Sequence, residues 1–344
     1  QLPTGITGTL DLSNPYIPVF TPSANDQNYV GPIVIALTAT SNTTCSSSSD
    51  TVSVLITPAP KVDAGPPSVT ICEGSNYFVP SNPLAGQNIV NNTILWTNGT
   101  GDGTIVGANS LTPTYIPGPN DISNGSVTLT LSAAGNNPCS TPATDNIVIN
   151  IVKNPIVNAG PDKTVCQGSI NVNATIQNAG SILWTVQNGS GSFVDPTASS
   201  PIYIPSLSDL NTTVTFSVTV TPINNCGPTV SDSVLYTINA TPNVIAGGNA
   251  TICQSNSSYQ LQATASNTTS ITWTSTGSGS FDNIHNEDPI YTLSPGDILA
   301  GSVTFTLTGT QSGCSNVTDT MVLTIQKNPT ANAGAAQVIC QGDM

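Results

Sequence analysis

The stretch TVTFSVTVT, residues 213–221, is the best guide to the fold, because hydrophobic and polar side chains alternate along its whole length. One phenylalanine and three valines fall on one face, and threonines with one serine fall on the other. A period of two residues is typical of a β-strand with one buried face. Residues 126–134 (SVTLTLSAA) and 302–310 (SVTFTLTGT) follow the same pattern. The sequence therefore predicts the same strand at three places in the chain.

These strands belong to a tandem repeat with a period of about 88 residues. Tryptophans recur at spacings of 88 and 89 residues, tyrosines at 88, and cysteines mostly at 87 or 88. Several residue types that share one period are strong support for a repeat array. The recurring aromatic residues, which we expect in the cores, are Trp96, Trp184, Trp273, Tyr115, Tyr203 and Tyr291. The proposed units are a partial repeat 1 (1–58), full repeats 2 (59–153), 3 (154–240) and 4 (241–327), and the start of a further repeat (328–344).

The fold class predicted from these units is all-β. Each full repeat holds six or seven short, antiparallel strands separated by clusters of glycine, proline, asparagine and serine. That pattern in about 88 residues predicts a β-sandwich of immunoglobulin-like or PKD-like type. Proline-containing linkers such as NPIV and TPNV restrict the junctions. We therefore expect a tandem array of β-sandwich domains arranged end to end as a semi-rigid rod.

The composition excludes several classes of function. The 344 residues include 4 lysines, no arginine and 18 acidic residues, which give a net charge of −14. Nucleic-acid binding requires clusters of basic side chains, so we expect no nucleic-acid partner. The chain also contains no apolar run of the roughly 20 residues that a membrane-spanning helix needs. Eight cysteines beside a single histidine indicate disulfides and an extracellular location.

The repeats resemble those of a known family of surface proteins. Repeat 3 carries NAGPDKTVCQG (158–168), GSGSF (189–193), PIYIPS (201–206) and DSVLYTI (232–238) in this order. These segments resemble the tandem repeats of giant cell-surface adhesins of the Bacteroidota, of the SprB-like gliding-motility type. The resemblance covers essentially the whole chain. It implies a non-enzymatic, outer-membrane-attached surface protein, exported by type IX secretion and active in adhesion and gliding.

The cysteines leave three pairings open. The preferred one lies within each repeat and closes loops of about 60 residues, which would stabilise each domain by about 3–4 kcal/mol. Its pairs are Cys72–Cys139, Cys166–Cys226 and Cys253–Cys314, with the partners of Cys45 and Cys340 expected outside the chain. A second scheme pairs neighbouring cysteines across each repeat boundary, where the spacing is 26 or 27 residues. A third scheme joins one repeat to the next through Cys72–Cys226 and Cys166–Cys314.

The glycine-rich loop after each tryptophan has two interpretations. Phosphate binding is disfavoured, because no helix follows the loop and no lysine lies near it. We therefore interpret the loop as a hairpin or strand-crossing turn in which glycine supplies a positive φ. Each tryptophan is interpreted as a core residue, with a sugar-stacking surface as the alternative. The sparse carboxylates predict no catalytic pair and no cofactor, although a structural calcium ion at Asp63 or Asp162 is a further hypothesis.

Three Asp-Ser/Thr pairs at the entry to the last strand match a short sequence that Bacteroidota O-glycosylate. The candidate hydroxyl residues are Thr51, Ser233 and Thr320. The alternative is a polar start to that strand.

The leading hypothesis is a stalk or filament segment of a large surface adhesin. Its expected partners are neighbouring repeats, surface polysaccharide, and secretion or motility machinery. The alternatives are an array of carbohydrate-binding modules in a polysaccharide-degrading protein, or a structural subunit of a surface layer or fibre.

Overall fold

The computed structural model describes residues 2–29, 31–82, 86–90 and 93–338. The chain forms two compact units. The N-terminal unit comprises Gln1–Asn154 together with Pro222–Pro228, and the C-terminal unit comprises Pro155–Thr221 together with Thr229–Met344. The division between Asn154 and Pro155 falls within one residue of the proposed boundary between repeats 2 and 3.

Repeats 1 and 2 consist of short strands and two helical elements. In repeat 1 the strands are Thr9–Asp11, Val19–Thr21, Ile33–Ala39 and Ser48–Val54, with a 3-10 turn at Asp26–Asn28. In repeat 2 they are Lys61–Val62, Ser68–Cys72, Tyr77–Phe78, Gly86–Gln87, Leu95–Thr97, Thr104–Val106, Thr114–Ile116, Ser126–Ala133 and Ala143–Val152, with an α-helix at Pro119–Asn124.

Repeats 3 and 4 have the same order of strands, and the turn Ile223–Asn225 of repeat 3 belongs to the N-terminal unit. In repeat 3 the strands are Ile156–Asn158, Lys163–Cys166, Ile170–Asn171, Thr175–Gln177, Ala179–Gln187, Ser192–Phe193, Ile202–Ile204, Thr212–Pro222 and Val230–Asn239, with 3-10 turns at Leu207–Asp209 and Ile223–Asn225. In repeat 4 they are Asn243–Ile245, Ala250–Cys253, Ser258–Gln260, Thr264–Ser266, Ser270–Ser275, Ser280–Phe281, Ile290–Thr292, Ser302–Thr310 and Val317–Gln326, with an α-helix at Pro295–Ala300.

Each full repeat contains a four-stranded sheet whose strand order is the same in all three. We call its members the cysteine strand, the last strand, the penultimate strand and the tryptophan strand, in spatial order. In repeat 3 these are Lys163–Cys166, Val230–Asn239, Thr212–Pro222 and Ala179–Gln187. A three-stranded sheet faces it, and in repeat 3 it contains Ile170–Asn171, Ile202–Ile204 and Ser192–Phe193. Two such sheets around one core form an immunoglobulin-like β-sandwich.

One strand pair differs from the expectation that all pairs are antiparallel. The cysteine strand runs parallel to the last strand, with Cys166 opposite Asn239 in repeat 3. The same pairing places Cys72 opposite Val152 and Cys253 opposite Gln326. Each of these cysteines therefore lies at the end of the sandwich where the last strand finishes.

Each full repeat has a core of its own. Three clusters of buried hydrophobic residues lie within 64–151, 159–238 and 244–325. The alternation along residues 213–221 is reflected in burial, because Val214, Phe216, Val218 and Val220 are fully buried. The three tryptophans and three tyrosines that recur in the sequence lie in these cores and are at most 2% exposed. Within the described ranges, no helix is long and apolar enough to span a membrane.

Candidate functional site

The glycine-rich loop of repeat 3 carries the chain from one sheet to the other. It follows the tryptophan strand Ala179–Gln187 and enters the strand Ser192–Phe193 of the facing sheet. The loop is therefore a strand-crossing turn, in agreement with one of the two sequence-based interpretations. Its left-handed residue is Asn188, with a φ of 58°, and neither Gly189 nor Gly191 has a positive φ. The expectation that glycine supplies a positive φ is therefore wrong for Gly189 and Gly191, but it is confirmed in the loop of repeat 2, where Gly99 has a φ of 56°.

Close packing explains the second glycine instead. A Cβ on Gly191 would lie 2.6 Å from the Tyr203 hydroxyl oxygen and still closer to the Ile204 carbonyl oxygen. At Gly279 it would lie 2.7 Å from the Tyr291 ring and 2.8 Å from an Asp297 carboxylate oxygen. Such distances are well inside van der Waals contact. Glycine is needed here because the backbone passes directly over a buried tyrosine and a carboxylate.

The carboxylate under this loop is Asp209, which is 2% exposed. Its Oδ1 accepts the Ser190 N–H at 2.7 Å, and its Oδ2 accepts the Gly191 N–H at 2.9 Å. Oδ2 also accepts the Tyr203 hydroxyl at 2.8 Å and the Ser206 N–H at 2.8 Å. Four donors thus compensate the cost of burying one negative charge, as buried charges require.

The same carboxylate recurs in repeats 1 to 4. The four residues, each at most 2% exposed, are Asp26, Asp121, Asp209 and Asp297. Asp297 accepts the Ser278, Gly279 and Ser294 N–H groups and the Tyr291 hydroxyl at 2.8–3.1 Å. Asp121 accepts the Tyr115 hydroxyl and the N–H groups of Gly103 and Gly118.

Repeat 1 provides a natural variant of the cluster. Asp26 accepts the N–H groups of Thr7 and Ser23 at 2.8 and 2.9 Å, but Phe20 occupies the tyrosine position. Sequence reasoning missed this cluster because it searched for pairs of carboxylates. The available signal was a single aspartate that follows the tyrosine (or Phe20) by six residues in each repeat.

The electrostatics of the cluster hold it in one protonation state. Burial alone would raise the pKa of Asp209, but the hydrogen bonds from Ser190, Ser206 and Tyr203 outweigh burial and lower that pKa below its usual value of 3.8. Burial, together with the Asp209 carboxylate, raises the pKa of the Tyr203 hydroxyl above its usual value of 10.0. The aspartate therefore stays ionised and the tyrosine stays a donor at neutral pH. This arrangement stabilises a loop, and both oxygens of Asp209 and the hydroxyl of Tyr203 already take part in hydrogen bonds.

The cysteines pair between repeats. Cys72 is bonded to Cys226 with a Cα–Cα distance of 4.9 Å, and Cys166 is bonded to Cys314 with a distance of 4.7 Å. These are the pairs of the third scheme considered from the sequence. Cys139 and Cys253 carry free thiols, and so does Cys45. The preferred within-repeat pairing of Cys72–Cys139, Cys166–Cys226 and Cys253–Cys314 is therefore wrong.

The parallel strand pairing gives the physical reason. Cys166 lies beside Asn239, the final residue of the last strand, whereas Cys226 precedes Val230, the first residue of that strand. Asn239 lies nine residue steps beyond Val230 along the strand, which corresponds to about 30 Å at roughly 3.3 Å per residue. A disulfide requires a Cα–Cα distance of less than about 7 Å. The two cysteines of one repeat lie at opposite ends of the sandwich and cannot meet.

The surroundings of each bridge are specific. In the C-terminal unit, Gly313 precedes Cys314 with a φ of 74°, and a Cβ there would lie 2.7 Å from the Thr164 carbonyl oxygen. The Asn239 side chain donates to the Ser312 carbonyl oxygen at 2.9 Å. In the N-terminal unit, Gly227 follows Cys226 with a φ of 95°. Glycine thus allows the cysteine-bearing hairpin loop to approach the backbone around its partner.

The remaining cysteines fall into two groups. Cys45 and Cys253 are exposed, whereas Cys139 is partly buried and its thiol donates to the Thr57 carbonyl oxygen at 3.2 Å. Cys340 lies outside the described residues.

Two of the three aspartates in the Asp-Ser/Thr pairs, Asp232 and Asp319, have a structural role. Asp232 accepts the Ala159 N–H at 2.8 Å, and Asp319 accepts the Ala246 N–H at 2.8 Å. Asp145 makes the same bond, at 2.7 Å to Ala64, although an asparagine follows it in the sequence. The interpretation as a polar strand entry therefore explains the aspartate. The candidate residues Thr51, Ser233 and Thr320 are exposed, and their glycosylation stays a prediction.

The two aspartates considered for calcium bind backbone groups. Asp63 accepts the Gly65 N–H at 2.8 Å, and Asp162 accepts the Leu235 N–H at 2.9 Å. The part of the chain that the structure describes contains no group of three or more His, Cys, Asp or Glu side chains suited to a metal ion. The structure thus offers no support for the calcium hypothesis at Asp63 or Asp162.

Comparisons with known proteins find likeness only among solved structures. No family model and no curated protein matches the chain. Mouse protocadherin-24 EC1-3 matches at 12% identity and a TM-score of 0.35, over 77% of this chain and 98% of that one. Titin domains I67-I69 match at 14% identity and a TM-score of 0.36, over 78% of this chain and 99% of that one. Sidekick-1 immunoglobulin domains 1-5 match at 13% identity and a TM-score of 0.38, over 93% of this chain and 71% of that one.

These values are too low to assign the chain to a family. The assignment as tandem immunoglobulin-like β-sandwiches follows from the sheet order and the separate cores.

Proposed function

We propose that this chain is a non-enzymatic, extracellular repeat segment of a large bacterial surface adhesin, in which it forms part of a stalk. The observation that carries the proposal is the pair of disulfides that join successive repeats, Cys72–Cys226 and Cys166–Cys314. Disulfides persist in oxidising, extracellular environments. Covalent links between neighbouring sandwiches serve a protein that transmits force along its chain.

The chemistry of the buried groups supports a structural role. The four buried aspartates are occupied by backbone N–H groups and, in the three full repeats, by a tyrosine hydroxyl. A catalytic carboxylate has to reach a substrate, and these carboxylates are held inside the sandwich. Enzymatic function therefore has no candidate among the buried carboxylates.

The burial of the tryptophans disfavours the carbohydrate-binding alternative. Trp96, Trp184 and Trp273 are 2%, 2% and 1% exposed, so none of them offers a face on which a sugar ring could stack. The indole N–H of Trp96 donates to Ser110, and that of Trp273 donates to Asn286. Both residues serve as core residues that also fix a neighbouring loop.

The finer part of the proposal depends on the resemblance to SprB-like adhesins of the Bacteroidota. On that basis we infer export by type IX secretion, attachment to the outer membrane and a role in gliding motility. The proposed partners are the neighbouring repeats of the same chain, together with surface polysaccharide or the motility machinery.

Surface labelling tests the proposal directly. Antibodies raised against this segment should label intact cells of the producing organism as strongly as permeabilised cells, and antibody-coated beads should travel along gliding cells. An antibody against a periplasmic protein is the control and should label permeabilised cells only. Labelling that requires permeabilisation would overturn the extracellular location, and labelled beads that stay in place on gliding cells would overturn the role in motility.

A purified-protein assay separates the alternatives. The segment should show no saturable binding on a glycan array and no ordered self-assembly into sheets. Saturable binding to one polysaccharide would favour the carbohydrate-binding array, and regular two-dimensional lattices would favour the surface layer.

A further inference from the structure

The disulfides create covalent paths that bypass most of the chain. The bridge from Cys72 leads directly to Cys226 across a separation of 154 residues, and the bridge from Cys166 leads to Cys314 across 148 residues. The two closed segments overlap, because Cys166 lies inside the first and Cys226 lies inside the second. A chain that is pulled from both ends transmits tension along the shortest covalent path, whatever the state of the residues outside it.

Between Cys45 and Cys253 the shortest covalent path is much shorter than the polypeptide itself. It consists of the 27 residues from Cys45 to Cys72, the bridge to Cys226, and the 27 residues from Cys226 to Cys253. Counted in residues, this short path is only about one quarter of the polypeptide between the same two points. Most buried core residues of repeats 2 and 3 lie outside the path, and those on it are Ala64, Val234, Tyr236 and Ile238.

About half or more of each 27-residue segment is already β-strand in the folded protein, and the segment from Cys45 to Cys72 includes the strands Ser48–Val54, Lys61–Val62 and Ser68–Cys72. The segment from Cys226 to Cys253 includes the strands Val230–Asn239, Asn243–Ile245 and Ala250–Cys253. A β-strand rises by about 3.3 Å per residue, close to the maximum of roughly 3.3–3.6 Å for any polypeptide. Unfolding these strands therefore adds little length, because most of the segment cannot become longer.

We propose that the staggered disulfides make this repeat array a tether of nearly fixed length. Tension is transmitted by extended segments, each formed by a last strand, a linker and the next cysteine strand, and by the disulfides that connect them. Tandem sandwiches without such bridges lengthen by unfolding one after another. Here unfolding of a core releases almost no length, since the bridge closes around it. These mechanical properties belong to the chain itself and require no adhesive target or cellular location.

The expected difference in length is large. At about 3.5 Å per residue, the bridged path between Cys45 and Cys253 extends to about 190 Å. The full polypeptide between the same residues extends to about 730 Å. The oxidised protein should therefore reach only about one quarter of the length of the reduced protein.

Optical tweezers can measure this limit on the full chain. DNA handles attached through maleimide groups to the exposed thiols of Cys45 and Cys253 define the two points of pulling. The substitutions Cys139→Ser and Cys340→Ser leave these two as the only free thiols for attachment. The force is raised until the length stops increasing, first in oxidising buffer and then with a phosphine reductant.

The expected result is a final length of about 190 Å under oxidising conditions and about 730 Å after reduction. A matched pair of variants shows which of the two bridges limits the length. Cys72→Ser with Cys226→Ser leaves only the longer path through the Cys166–Cys314 bridge, which extends to about 640 Å. Cys166→Ser with Cys314→Ser leaves the short path intact, so its limit stays at about 190 Å.

Other outcomes overturn the proposal in recognisable ways. If the cysteines paired within repeats, the pulled protein with Cys139→Ser and Cys340→Ser would keep only the Cys166–Cys226 bridge. Its final length would then be about 520 Å. An oxidised protein that reaches about 730 Å, the length of the unbridged chain, would show that no bridge transmits the tension. Neither result bears on surface labelling of cells, so failure of this inference and failure of the proposed function are distinguishable.

Discussion

Replacement of Asp209 by asparagine tests whether the buried carboxylate holds the glycine-rich loop. Asn has one acceptor oxygen where Asp has two. If the amide oxygen takes the place of Oδ2, it keeps the bonds from Gly191, Tyr203 and Ser206. The amide nitrogen then faces the Ser190 N–H, which donates to Oδ1 in the native protein, so two donors meet.

The magnitude follows from the bonds that change. One hydrogen bond to a charged group, which contributes about 1.5–3 kcal/mol, is lost. One buried N–H is left without an acceptor, at a cost of about 1–3 kcal/mol, and part of this cost is recovered by local adjustment. We expect Asp209→Asn to lower the free energy of opening of repeat 3 by roughly 2–4 kcal/mol.

Native-state hydrogen exchange, detected by mass spectrometry, measures the free energy of opening for each repeat separately. Peptides from the penultimate strand Thr212–Pro222 should exchange faster in the variant, whereas peptides from Ser302–Thr310 of repeat 4 should not change. The control is Asp195→Asn, which removes the same charge from an exposed residue of the same repeat and should shift the free energy by less than about 0.5 kcal/mol. If Asp209→Asn also lost less than about 0.5 kcal/mol, the range of an ordinary surface substitution, the buried carboxylate would not be what holds the loop. An equal loss for the two variants would lead to the same conclusion.

Three further predictions concern the same structure. Gly191→Ala should destabilise repeat 3 by roughly 1–3 kcal/mol, because its Cβ would lie 2.6 Å from the Tyr203 hydroxyl. Gly248→Ala, which meets nothing within 4 Å, should be neutral in the same exchange experiment, and equal effects would contradict close packing as the cause. The pKa of Asp209 is lowered in the folded state, so its stabilisation is present above the unfolded value of about 3.9 and is lost as the pH falls through the folded pKa. The difference in opening free energy between native protein and Asp209→Asn should therefore shrink below about pH 4, and a difference that stays constant from about pH 7 to about pH 3 would contradict this. Acrylamide should quench the fluorescence of the three buried tryptophans several-fold less than that of a free tryptophan derivative, and quenching as efficient as that of the free derivative would restore the sugar-stacking interpretation.

The strands and the repeat could be predicted from the sequence because each leaves a periodic trace. The two-residue alternation at 213–221 corresponds to a strand whose valines and phenylalanine are buried, since successive side chains point to opposite faces. The recurring tryptophans and tyrosines mark cores because large aromatic side chains contribute most to apolar burial. Both signals are local in the chain, so no knowledge of distant contacts is needed to interpret them.

The glycine-rich loop shows where local interpretation fails. A glycine is compatible with a positive φ or with the close approach of another chain segment, and residues 184–193 do not distinguish these causes. Gly191 is explained by Tyr203 and Ile204, which belong to a different strand further along the chain. The partner Asp209 is likewise invisible as a site, because its ligands are backbone N–H groups that any residue can supply.

A series of β-sandwich repeats can be inferred from this sequence alone, because alternation and period are properties of neighbouring residues. The way in which the repeats are joined follows from the folded structure and from nothing local. A constant spacing of 26 or 27 residues between Cys pairs is compatible with every pairing scheme. The choice depends on which end of the sandwich each cysteine occupies. That end is fixed by the parallel pairing of the cysteine strand with the last strand, a contact between residues that are far apart in the chain.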